Sequence, residues 1–181
     1  AREGEYYFIH RLDRNTKGLL IFARNAETEK ALLAAFRDRK VEKRYHALCF
    51  GQFPKKSDVL TAYLRKDAAH SVVYVNDVSS KNSEKIITEY TVIESLADGT
   101  TRVEVVLHTG KTHQIRAHLA HIGCPIVGDM KYGDNPKNKA NNCARQCLVA
   151  KKLSLCLEGK YAYLNGKIWV SRFEAVLPHN S

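Results

Sequence analysis

The sequence predicts an α+β domain built on a mixed, mostly antiparallel sheet. Two observations predict it. Apolar or alternating segments of strand length recur along the 181 residues with hairpin-length gaps between them. Only two stretches, 26–38 and 112–122, carry the three-to-four-residue apolar repeat of a helix.

In chain order, residues 5–10 and 18–24 are apolar enough for strands, with a polar turn from Arg11 to Lys17 between them. Residues 26–38 predict a helix, because Leu32, Leu33, Ala35 and Phe36 recur at helical spacing among charges. Strands are expected over Tyr45–Phe50, Val59–Leu64, Val72–Val75 and Ile86–Ile93. Residues 101–108 alternate cleanly: Val103, Val105 and Leu107 face one way, and Arg102, Glu104 and His108 the other. A second helix should run from Thr112 to Ile122 with Ile115, Leu119 and Ile122 as its buried stripe, stopped by Gly123 and Pro125. Residues 133–145, rich in Asn, Lys and Gly, predict an exposed loop, and 146–177 further strand. No internal repeat or low-complexity stretch interrupts this order.

Lys and Arg total 29 against 19 Asp and Glu, a formal charge of +10. Such an excess serves solubility or a polyanionic partner, since each neutralised phosphate releases condensed counterions. The positives fall in small groups: Arg11, Arg14 and Lys17; Lys43 and Arg44; Lys55 and Lys56; Lys131, Lys137 and Lys139; Lys151 and Lys152. That spread predicts a folded basic surface rather than a basic tail. The five cysteines are odd in number and form no C-x-x-C pair, which argues against a disulfide framework or a Cys-rich zinc site. Cys143 and Cys147, four apart, would meet if they lay on a helix. No apolar run approaches the roughly 20 residues of a membrane-spanning helix, and the first residues carry no signal-peptide pattern. A cytoplasmic protein without membrane contact, monomeric by default, is expected.

Two clusters are equipped for chemistry. The first is His10-Arg11-Leu12-Asp13-Arg14-Asn15-Thr16-Lys17-Gly18-Leu19. Here Asp13 sits in a turn flanked by arginines. The plain alternative is an Asx-type turn in which the carboxylate accepts its own backbone N–H groups. The second cluster is Thr109-Gly110-Lys111-Thr112-His113-Gln114-Ile115-Arg116-Ala117-His118-Leu119. Gly110-Lys111-Thr112 is not a phosphate loop, because the required earlier glycine is replaced by Val105. His113 and His118, five apart on a helix, face different ways, so a metal site is not expected, and His118 in the apolar stripe suits a core histidine. Arg116, beside that stripe, should be only partly solvated and should need a carboxylate partner, for structure or for function.

Taken together, the clusters resemble the RluA/RluD family of RNA pseudouridine synthases. Residues 10–19 match the motif H-R-L-D-x-x-T-S-G-L with one change. Thr109–Leu119, followed by Gly123-Cys124-Pro125-Ile126-Val127-Gly128-Asp129-Met130-Lys131-Tyr132-Gly133, is similar to T-G-R-T-H-Q-I-R-x-H-L and G-x-P-I-x-G-D-x-x-Y-G. Lys43-Arg44-Tyr45-His46-Ala47 resembles K-x-Y-x-A. The resemblance spans nearly the whole chain, with the motifs in family order.

The resemblance implies the pseudouridine synthase fold, with helices flanking the sheet and a cleft across its middle. It implies isomerisation of specific uridines in structured ribosomal or transfer RNA, without metal or organic cofactor. Asp13 matches the catalytic aspartate, Tyr45 the tyrosine stacked on the target base, and Arg116 the basic residue paired with the aspartate. Arg11 matches the arginine that holds the nucleotide flipped out, with Arg14, Lys17, Lys111 and His113 as further RNA contacts. The reaction breaks the N1–C1′ bond, turns the uracil and rejoins it through C5. One carboxylate suffices, by attack on C1′, by addition to C6 or by removal of the C2′ proton.

Lys17 stands where the family has serine, Lys111 where arginine is common, and Cys124 and Val149 where histidine is frequent. Asp13 follows only twelve residues. Residues 1–181 are therefore expected to be a catalytic domain lacking its N-terminal strands, with no S4-type domain in this chain. Two other classes compete: a metal-free nucleoside-cleaving enzyme, which has no use for the basic surface, and a non-catalytic RNA-binding module.

Overall fold

A computed structural model describes residues 6–177. The first residue of the strand expected over 5–10, and the first residues read for a signal-peptide pattern, lie outside that range.

The backbone is organised by one eight-stranded sheet. Its strands are β2 (Lys17–Gly18), β4 (Val41–Phe50), β5 (Ser57–Asp67), β6 (Val72–Asn76), β7 (Ser83–Ser95), β8 (Thr100–Leu107), β9 (Leu148–Leu155) and β10 (Ile168–Val170). The order is β10-β9-β4-β8-β7-β5-β6, all antiparallel, with β2 added parallel to β9. That single parallel pair makes the sheet mixed but mostly antiparallel, as the alternation and short turns predicted. A separate two-stranded ribbon joins β1 (Tyr7–Phe8) to β3 (Phe22–Ala23).

β4 lies near the middle of the sheet and is covered on both faces. Tyr45, Ala47 and Cys49 project into a core shared with Tyr90, Val103, Val105, Ile115 and Leu119. Leu48 and Phe50 project into another, with Val127, Cys147 and Val149. The period-two register therefore presents Tyr45 to the face on which helix α2 (Gln114–His121) packs. Helix α1 (Ala26–Arg37) starts where Asn25 Oδ1 accepts the Thr28 N–H at 2.8 Å, and it packs Leu32 and Ala35 against Leu153 and Leu155 of β9. Leu33 faces outward instead.

Several expectations are corrected. The segments 5–10 and 18–24 contribute only two paired residues each to the ribbon. Helix α2 begins at Gln114 rather than Thr112, because His113 adopts a left-handed backbone (φ 54°) that cannot continue a helix. Its buried surface is no stripe: every residue from Gln114 to Leu119 is buried. The stretch 133–145 holds a short helix, α3 (Asn135–Ala140), whose first turn is set by Asp134 accepting the Lys137 N–H at 3.1 Å and by Pro136. Asn138 within it is buried, its amide bridging Gly128 N–H and Asp129 C=O. A polar composition concealed this because the polar groups are spent on capping. After β9 the chain forms a 3-10 turn, Gly159–Leu164, before β10. Cys143 and Cys147 do approach, Sγ to Sγ 3.8 Å, but across a loop rather than on a helix. Among the described residues no helix is long and apolar enough to cross a membrane.

Candidate active site

Asp13 is held by a loop tied down at several points. Thr16 N–H closes its turn onto the Asp13 carbonyl at 3.0 Å. Thr16 Oγ1 accepts from Gln146 Nε2 at 2.7 Å. Leu19 N–H donates to Ala150 C=O at 3.0 Å beside the β2–β9 pairing. Gly18 makes that pairing possible: its φ is +117°, and a Cβ there would stand 2.3 Å from the Ala150 carbonyl oxygen. Upstream, His10 Nε2 accepts from Ile21 N–H at 3.2 Å while its ring stacks on Phe36, centroids 4.9 Å apart. Burial, with a smaller contribution from Lys43, lowers the His10 pKa to about 4, so the ring remains the neutral acceptor this bond requires.

The carboxylate of Asp13 does not cap its own turn. Among the described residues its one partner is Arg116, whose Nη1 lies 3.3 Å from Oδ2. Arg116 is 7% exposed and meets a second carboxylate, Asp129, through Nε–Oδ2 at 2.7 Å and Nη2–Oδ1 at 3.0 Å. Such a fork fixes the guanidinium plane. Asp129 Oδ1 also accepts the N–H groups of Lys131 and Tyr132, at 2.9 and 3.1 Å. Burial pushes the Asp129 pKa up, but the Arg116 bonds and these N–H groups outweigh it, and the net shift is downward. The Tyr132 ring lies 5.2 Å from the guanidinium carbon.

A pocket of about 190 Å³ opens over Asp13. Its walls include Arg11, Tyr45, Lys43, Lys111, His113 and Ile115. Tyr45 is 7% exposed, and burial foremost, with the Asp13 charge second, pushes its hydroxyl up to about 12. At neutral pH it therefore keeps its proton and offers a flat, uncharged ring. Lys43, Nζ 5.0 Å from the Phe36 centroid, has its pKa lowered by burial. Lys111 pairs with Glu84. An apolar cavity of about 350 Å³ between α1 and β9 shares none of these residues in its lining, where Tyr161 is the one titratable side chain.

Of the residues singled out in the sequence, Asp13, Arg11, Tyr45, Lys111 and His113 line one pocket, and Arg116 stands behind Asp13. Arg14 and Lys17 are exposed and line none of its wall; Lys17 Nζ sits 5.8 Å from the Phe173 centroid. Asp129 and Tyr132 lie within the Gly123–Gly133 motif, and the sequence alone assigns them no part. The expected basic surface is also reduced: Lys151 is buried on the Ser171 and Phe173 carbonyls and Glu174, Arg44 and Lys152 share Glu104, and Lys55 and Lys137 pair with Asp58 and Asp134. His118 is a core residue, Nδ1 2.9 Å from Thr88 Oγ1.

The fold is thus an α+β sheet carrying a pocket in which a buried arginine meets an acid on the wall. The RNA pseudouridylate synthase family pattern matches residues 1–121, and the chain belongs to that family. It is 35% identical over 135 residues to ribosomal large subunit pseudouridine synthase C of Rickettsia bellii, covering 75% of this chain and 44% of that protein. With the protein of the same name from Vibrio cholerae it shares 39% over 126 residues, 70% of this chain and 38% of the other. The chain thus spans about half the length, or less, of these curated relatives. The solved structure of human RNA pseudouridylate synthase domain containing 1 superposes with a TM-score of 0.80 over 99% of this chain and 74% of that one, at 24% identity, which shows the shared fold.

Proposed function

We propose that residues 1–181 act as one catalytic unit that isomerises uridine to pseudouridine in RNA, with ribosomal RNA as the first substrate class to test. The observation that carries this reading is the meeting of Asp13 and Arg116, 103 positions apart in sequence, beneath a pocket walled by Tyr45. In it, Asp13 acts on the nucleotide as nucleophile or base. Arg116 orients it, and is itself held from behind by Asp129. Tyr45 supplies a stacking face to the uracil, which must first leave its helix at a cost of a few kcal/mol. Arg11 fills the space the base vacates. Lys111 and His113 contact the flipped nucleotide at the pocket wall, while Arg14 and Lys17 serve RNA lying beyond it. Loops and bulges suit such a site because their bases are already splayed. The reading extends to a monomer working in the cytoplasm, with transfer RNA as a second substrate class. Support for the ribosomal assignment comes from the names of the relatives.

The test incubates the chain with large-subunit ribosomal RNA transcripts and maps carbodiimide-dependent reverse-transcription stops. New stops at defined uridines are expected; release of free uracil instead would indicate nucleoside cleavage, and binding without either would indicate a non-catalytic RNA module.

A further inference from the structure

The pocket wall contains a histidine, His113, whose ring is held from behind by a tyrosine. His113 occupies a left-handed backbone conformation (φ 54°), one that a residue with a Cβ adopts at a cost and keeps only where its surroundings impose it. What imposes it is visible on both sides. Gln114 is fully bonded: Oε1 accepts from Thr109 Oγ1 and Lys111 N–H, and Nε2 donates to Ile87 C=O and Thr88 Oγ1. The backbone is thus locked just after residue 113. The His113 ring is held by Tyr132, whose oxygen lies 2.8 Å from Nδ1.

That bond has a direction. The same Tyr132 oxygen already accepts the Val73 N–H at 2.9 Å, and a backbone N–H can only donate. The phenolic proton has one acceptor among the described residues, His113 Nδ1. If Nδ1 carried hydrogen instead, the oxygen would face two donors and its own proton would have no protein acceptor. The chain of bonds therefore runs Val73 N–H to Tyr132 O–H to His113 Nδ1, which leaves the imidazole hydrogen on Nε2. Nε2 has no protein partner among the described residues and is not among the nitrogens sealed from solvent. His113 lines the Asp13 pocket and Tyr132 does not. The groups that act on the ring charge are Asp13 and Asp129, which favour it, and Arg116 and Lys131, which oppose it; burial is the largest influence and lowers the pKa.

We infer that Tyr132 is a positioning residue that fixes His113 as its neutral Nε2–H tautomer, and that this N–H is a hydrogen-bond donor to an oxygen of the nucleotide bound over Asp13. A neutral donor suits this place. It can polarise a uracil or ribose oxygen next to Asp13 without forming a competing ion pair with the carboxylate. The tautomer is a property of the folded chain alone; the contact with a nucleotide rests on the function proposed above.

Long-range proton–nitrogen correlation spectra of histidine-labelled chain read the tautomer directly, with no substrate. A single Nε2–H form for His113 is expected, and in Tyr132→Phe, which keeps the ring but not the proton, a mixture of both tautomers. A wild-type spectrum dominated by Nδ1–H, or a Tyr132→Phe spectrum identical to wild type, would overturn the assignment whether or not the chain modifies RNA. In single-turnover assays on modified transcripts, His113→Ala should lose about 10- to 100-fold in rate with RNA affinity nearly unchanged, as for loss of one positioned donor. His113→Gln, which returns an amide N–H near the Nε2 position, should recover part of it. Equal losses in Gln and Ala variants, or a loss confined to affinity, would reject the donor role while leaving the isomerase reading intact.

Discussion

Arg116 and Asp129 form a buried two-pronged ion pair, and the third guanidinium nitrogen is the one that reaches Asp13. The acid in the pocket is therefore placed by another acid behind it. Asp129 also receives the backbone of Tyr132, so one side chain organises both the Arg116–Asp13 contact and the tyrosine beside His113.

Removing one partner of such a pair leaves the other charged and desolvated. Asp129→Asn and Arg116→Met should each lower the unfolding free energy by about 3–5 kcal/mol. The double variant Arg116→Met/Asp129→Leu should regain much of that stability and none of the activity. Urea unfolding with a double-mutant cycle checks it; additive losses would show that the two side chains are not coupled.

Acid should weaken the fold in two stages. Buried His118 and half-buried His10, both neutral, have pKa values lowered to about 4 from 6.5, chiefly by loss of solvent. The unfolded chain binds their protons first, so this stability is complete above 6.5 and declines as pH falls toward 4. Asp129, held below its usual range, adds stability above about pH 3.9 that is lost at still lower pH. His118→Gln, able to keep a bond to Thr88, should flatten the first stage in a series of unfolding curves; an unchanged slope would mean His118 is not buried neutral.

Tyr45 works through its ring in this account. Tyr45→Phe should retain most turnover, and Tyr45→Leu should lose about 5- to 150-fold, the worth of one base–aromatic stack. Non-specific RNA affinity, measured by filter binding, should change much less than the rate.

Gly18 anchors the Asp13 loop to β9. Gly18→Ala meets the Ala150 carbonyl and a disfavoured φ together, so it should cost at least about 1–3 kcal/mol. A fall of several degrees in the melting temperature with reduced turnover is expected. Wild-type stability would show that β2 is dispensable.

The strands and α1 were legible because alternation and helical spacing are local signals, and Asn25 caps α1 within its own turn. The pocket was legible in part: motif order pointed to Asp13, Tyr45 and Arg116 without their distances. Asp129 was missed as the main partner of Arg116 because an arginine signals that it needs an acid, not which one. Tyr132 was missed because its hydroxyl joins β6 to His113, the residue before α2, a contact that no spacing encodes. The basic groups misled for the same reason. Lys151 looks like surface in sequence and is buried on two carbonyls in the fold. Helix α3 was hidden by a composition typical of loops, although Asp134 and Pro136 form a local start signal.

The most direct measurement is tritium release from RNA labelled at uracil C5, with wild-type chain and with Asp13→Asn. Release by the wild type, abolished by the substitution while the far-UV spectrum and RNA affinity stay the same, is the predicted result. Release that persists in Asp13→Asn would contradict the placement of the reaction at this carboxylate.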